Sequence, residues 1–213
     1  MSKGHDCRIL GMKTKSLIGV DVDEVLCDFG PAFVSYFCGL TGWKRPDSGL
    51  KHPNYAVALD APEKEILAAV AAFYGEPVFR DLAPIEGSHD GIVALREFAT
   101  LEIVSARPPT TRTATEGWLT RHHNDAFGAV HLTGFAATGM IRQTKAEICE
   151  KRGITILIED NPGYAMQCAA RGIEVVLMRH CWNRHLEAGP FITPVESWTE
   201  AVEVASNLCA VLS

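Results

Sequence analysis

The apolar run LIGVDV carries Asp21 near its end, and Asp23 and Glu24 follow at once. A strand that only needs burial has no use for such a cluster of acids. Acids recur at the end of a later apolar run, ITILIED, as Glu159 and Asp160. A hydroxyl, Ser105, closes the run LEIVS and is followed by Ala106 and Arg107. Lys145 opens the helical pattern that precedes ITILIED, with Arg142 and Lys151 as nearby alternatives. These residue types suit phosphoryl transfer. Grouped carboxylates repel unless a hard cation joins them, and Mg2+ favours one or two carboxylates together with phosphate. A carboxylate can serve as nucleophile and divide a difficult hydrolysis into two steps. A lysine and a metal ion neutralise a phosphoryl group in flight. A second carboxylate can pass a proton to the departing oxygen.

The elements that must position these groups follow from periodicity. Runs at 17–22, 101–105, 129–133, 154–160 and 174–178 are short, apolar and mostly β-branched, as strands covered on both faces are. Helical spacing falls near 88–98, 110–124, 144–152, 162–171 and 197–211. Strand alternating with helix predicts an α/β fold, a Rossmann-like doubly wound parallel sheet. Residues 30–87 break the rhythm. FVSYFCGLTGW is aromatic and helical in pattern, KRPDSGLKHPNY is rich in turn formers, and APEKEILAAVAAFYG places Ile66, Leu67, Val70 and Phe73 on one face. The expectation is a small helical cap at 30–87 inserted after the first strand, with 1–29 and 88–213 forming the core domain. Open α/β sheets bind ligands beyond the carboxyl ends of their strands. The acids, the hydroxyl and the lysine all fall there.

Composition narrows the choice of partner. The net charge is −6 and the pI about 5.7, which opposes binding to a nucleic acid polymer. No stretch approaches the ~18 apolar residues of a membrane span. The 7 cysteines are scattered with no C-x-x-C pair, which disfavours a disulfide framework or a zinc site. His122, His123 and His131, and also His180 and His185, lack the acid or cysteine that would complete a familiar zinc spacing. The first residues, MSKGHDCRILGMKTKS, lack a signal-peptide core, so a cytoplasmic protein is expected. Nothing in the pattern encodes an oligomeric state.

The order DVDEV, then IVS, then a lysine, then LIED resembles the haloacid dehalogenase (HAD) superfamily of phosphohydrolases. The resemblance spans most of the chain. It implies that Asp21 is the nucleophile and a Mg2+ ligand, and that Asp23 is the general acid/base and lends its backbone carbonyl to the metal. Ser105, with Ala106 and Arg107 beside it, and Lys145 would hold the phosphate. Asp160 or Glu159 would hold the metal, one of them directly. A narrower resemblance, to the 5'(3')-deoxyribonucleotidase branch, rests on VDVDEVLCDF, the cap position, PVFRDLAPIEGS, SARP and MRHCWNRH. It implies a small phosphomonoester substrate such as a nucleoside monophosphate, with Phe29 and Phe79 as candidates to meet it. Glu24 stands where glycine is common in that branch. A sugar phosphate or other metabolite is the alternative substrate. A phosphate-binding protein without turnover, or a phospho-receiver domain, is the alternative class; a receiver would carry its acceptor aspartate at a middle strand, and the middle run AVHLTG ends without an acid.

Overall fold

The structure is a computed structural model that describes residues 15–44, 49–134 and 143–212. Its sheet has six strands: β1 (Ser16–Val20), β2 (Ala99–Ser105), β3 (Val130–Leu132), β4 (Ile156–Glu159), β5 (Glu174–Met178) and β6 (Ile192–Val195). The order is β3-β2-β1-β4-β5-β6 and every pairing is parallel. The chain builds outward from β1 to β3, then returns to place β4 against the other side of β1. The carboxyl ends of β1 and β4 therefore flank the point where strand order reverses, the usual crevice of such sheets.

Helices α5 (Ser88–Phe98), α6 (Arg112–His123), α7 (Lys145–Arg152), α8 (Pro162–Ala169) and α9 (Trp198–Leu212) cover the sheet, each close to its predicted span. β6 was not expected from its sequence, ITPV. Pro194 argues against a strand, but among the described residues β6 pairs with β5 alone and lies at the sheet edge, where a missing N–H is tolerated. Local chemistry sets the helix starts nearest the crevice. Thr144 and Glu147 form a reciprocal capping box that begins α7 at Lys145. The Asn161 side chain accepts from the N–H groups of Gly163 and Tyr164, and Pro162 takes the first helical position of α8.

Among the described residues four helices intervene between β1 and α5: α1 (Phe29–Thr41), α2 (Tyr55–Leu59), α3 (Glu63–Phe73) and α4 (Pro77–Arg80). The turn-rich expectation falls partly on residues 45–48, which lie outside the described residues. Phe29, Phe33, Phe73 and Phe79 bind the helices together, with Phe29 edge-on to Phe73 at 5.3 Å and Phe33 tilted against Tyr55 at 4.9 Å. The backbone leading into α1 and the backbone leaving α4 pair with each other. Ile85 N–H donates to Leu26 O at 2.8 Å and Asp28 N–H to Ala83 O at 2.9 Å.

Trp198 of α9 reaches through the core to donate from Nε1 to Val25 O at 3.1 Å, bracing the loop beyond β1. The indole lies flat on α5 because Gly91 has no side chain; a Cβ there would stand 2.4 Å from Trp198 Cε3. Gly91→Ala is therefore expected to destabilise the fold by about 2 kcal/mol, overpacking outweighing the gain of ~1 kcal/mol in helix propensity. Equilibrium denaturant unfolding measures this, and an unchanged midpoint would mean that the indole can shift at no cost.

Candidate active site

Burial and charge decide the geometry at the end of β1. Asp21 extends the sheet beyond the strand, its N–H donating to Ile158 O at 3.0 Å. Lys145 Nζ lies 2.7 Å from Asp21 Oδ2 and 2.6 Å from Glu159 Oε2, with the Tyr164 ring 4.7 Å away. Burial opposes the ammonium charge, but the two carboxylates outweigh it and hold the Lys145 pKa above its ordinary range. Lys151, the rival, is exposed on α7, and Arg142 lies outside the described residues.

Glu159 is saturated by protein. Its Oε2 takes the ammonium, and its Oε1 accepts from the backbone N–H groups of Asp160 at 3.2 Å and Asn161 at 2.9 Å. Asp160 is held differently: Trp182 Nε1 donates to its Oδ2 at 3.1 Å, and Asn183 Nδ2 donates to its backbone carbonyl at 2.7 Å. Burial, and then the charges of Glu159 and Asp21, push the Asp160 carboxyl well up. Asp21 Oδ1 is buried and has no hydrogen-bond partner among the described residues. Oxygens of Asp21, Glu159 and Asp160 all lie within 4.8 Å of one another. An orphaned carboxylate oxygen among mutually repelling acids fits a hard divalent cation.

Asp23 lies apart from that trio. Arg107, 2 % exposed, grips it: Nη2 is 2.6 Å from Asp23 Oδ1, and Nε is 3.1 Å from each carboxylate oxygen. The guanidinium also donates to Thr115 Oγ1 at 3.1 Å and Cys27 Sγ at 3.3 Å, and lies 4.7 Å from the Phe79 ring centroid. The Arg107 side chain, expected at the phosphate, is placed against Asp23 instead. Its donors are committed to Asp23, Thr115 and Cys27, and it does not line the pocket. Phe79, 1 % exposed beneath that guanidinium, does not line it either.

The pocket itself is walled by Asp21, Asp23, Ser105, Ala106 and Asp160 on the sheet side. Phe29, Tyr55, Tyr74, Tyr164 and Trp182 add an aromatic lining. Tyr55 and Tyr164 were not singled out from sequence; each stands in the first turn of a helix, where no periodicity marks it. Asn183 is fully buried and bonds to Met178 O as well as Asp160 O, so it fixes the loop after β5 against the end of β4. His180 stacks on Trp182 at 4.4 Å and donates from Nε2 to Glu24 O at 2.8 Å. His131 faces Glu102 at 2.8 Å.

Glu24 also lines the pocket. Its φ is +61°, and its Oε1 accepts from Gly30 N–H in the first turn of α1. Burial pushes its carboxyl up to about 8; the Gly30 hydrogen bond opposes this, and Asp23, Asp28 and Asp21 add to it.

The sequence matches the family described as 5' nucleotidase, deoxy (pyrimidine), cytosolic type C protein over residues 15–210. No curated protein matches the chain significantly. Among solved structures, a haloacid dehalogenase-like hydrolase from Streptococcus pneumoniae superposes with TM-score 0.63 at 15% identity, covering 91% of this chain and 100% of its own. A predicted phosphatase from Clostridium acetobutylicum gives TM-score 0.66 at 14% identity, with 91% and 99% covered. A HAD-hydrolase from Bacillus subtilis bound to magnesium gives 0.57 at 13% identity, with 91% and 100% covered. At such identities the structures establish the shared fold, while the family match covers nearly the whole chain. The chain belongs to the deoxy (pyrimidine), cytosolic type C 5' nucleotidase family of HAD-like proteins, and it is a phosphatase.

Proposed function

We propose that the protein is a Mg2+-dependent phosphatase of nucleoside monophosphates that works through an aspartyl-phosphate. The observation that carries this is Asp21: one oxygen on Lys145, the other buried and without a partner among the described residues, at the floor of a pocket with aromatic walls. The family description supports a nucleotide substrate, and the magnesium in the Bacillus subtilis structure supports the metal. The family description also supports a cytosolic setting. Among the described residues no helix is long and apolar enough to cross a membrane. Residues 30–87 act as the cap over a core of 1–29 and 88–213.

In this reading Asp21 attacks phosphorus, the bond from phosphorus to the ester oxygen breaks, and Asp23 gives that oxygen its proton. A water then attacks the aspartyl-phosphate, losing its proton to Asp23 and releasing inorganic phosphate. Ser105 and the backbone at Ala106 receive the phosphoryl oxygens, and Lys145 offsets their charge. Asp21 and Asp160 would hold Mg2+, with the Asp23 carbonyl, and the ion would neutralise phosphate charge when bound. Glu159, its oxygens already taken, positions Lys145. The aromatic rings take the base, Phe29 among them. Arg107 acts through Asp23, fixing the direction in which that carboxyl points.

Two experiments test the scheme. Asp21→Asn should abolish hydrolysis of p-nitrophenyl phosphate, and EDTA should abolish it in the parent until Mg2+ is restored. Normal rates in either case would overturn the mechanism. Arg107→Met should spare good leaving groups and penalise poor ones. We expect kcat/KM to fall by about 10²-fold for an alkyl phosphate and less than about tenfold for p-nitrophenyl phosphate, because only the alkoxide needs the proton. Equal losses on both substrates would assign Arg107 a structural role alone.

A further inference from the structure

Glu24 is the one acid of the opening cluster without a part in this reaction. Its backbone sits at φ +61°, a region that costs free energy for any residue carrying a Cβ. Such outliers persist where the surroundings enforce them, and they concentrate at ligand sites. The side chain is 7 % exposed, although it brings an acid close to others. Space has been made for it. A Cβ on Gly30 would lie 2.9 Å from Glu24 Oε1 and 3.3 Å from the Tyr55 hydroxyl. Oε1 is satisfied by Gly30 N–H, while Oε2 has no hydrogen-bond partner among the described residues. Glu24 thus brings a nine-tenths-buried carboxyl with one spare oxygen to the pocket wall, beside Phe29, Leu50 and Tyr55.

We propose that Glu24 Oε2 pairs with a hydroxyl of the substrate's sugar and so selects the leaving alcohol. The inference rests on the nucleotide reading above. Glu24 adjoins Asp23, whose target is the ester oxygen, so it meets the part of the alcohol nearest the phosphate, and the rings meet the flat base beyond. A hydroxyl both donates and accepts, so it can pair with a carboxyl or a carboxylate.

The test compares kcat/KM for uridine, 2'-deoxyuridine and 2',3'-dideoxyuridine 5'-monophosphates, with p-nitrophenyl phosphate as reference and Mg2+ present. Glu24→Gly suits the positive φ, and Glu24→Gln keeps a hydrogen-bonding group. For the parent, kcat/KM should fall at least about tenfold at the step that removes the contacted hydroxyl. Glu24→Gly should shrink that step below about threefold, and Glu24→Gln should retain most of it. The inference alone fails if the parent shows no step, if the step survives in Glu24→Gly, or if that variant slows all three nucleotides by one factor with the step intact. If p-nitrophenyl phosphate is hydrolysed and no nucleotide is, the nucleotide reading fails and takes this inference with it.

Discussion

The buried ammonium of Lys145 is the interaction on which the site depends. It joins the ends of two neighbouring strands, Asp21 beyond β1 and Glu159 on β4, to the first residue of α7. Neither carboxylate could be buried there alone. Removing one member of such an arrangement typically costs about 3–5 kcal/mol, because the remaining charge is left without compensation in a poor dielectric. The capping box at Thr144 belongs to the same construction. It begins the helix at the residue where the ammonium can enter the crevice.

Around that ion the acids divide the work by what already holds them. Glu159 and Asp160 are adjacent in sequence and look equivalent, yet their surroundings differ. Strand alternation turns Glu159 inward to the ammonium and to two backbone N–H groups. Asp160, past the strand end, is steadied by Trp182 and Asn183 from the loop after β5. The same separation appears at the first strand, where Asp21 faces the lysine and Asp23 the arginine. Two cations keep two aspartates, two positions apart, in different electrostatic settings.

Much of this was legible in the sequence. Strands covered on both faces leave continuous β-branched runs, and parallel order collects their carboxyl ends at one edge, so the cluster of Asp21, Asp23, Ser105, Lys145, Glu159 and Asp160 could be anticipated. Other features could not. Arg107 looked free for phosphate because its partner lies 84 residues away, a pairing that local spacing does not encode. β6 was hidden by Pro194, whose tolerance depends on an edge position visible only in the sheet order. Tyr55 and Tyr164 face the pocket from first turns of helices, where one aromatic residue reads like any other.

The paired segments before α1 and after α4 carry a structural consequence. Residues 26–28 and 83–85 form a short two-stranded ribbon, and Leu26 and Cys27 are tied back to Val22 O at 2.8 and 3.0 Å. Asp23 lies inside the turn that those bonds close. The ribbon is therefore anchored in the loop that carries Asp23. Residues 29–82 thus leave and re-enter the chain through one hydrogen-bonded junction that shares its backbone with the turn holding Asp23.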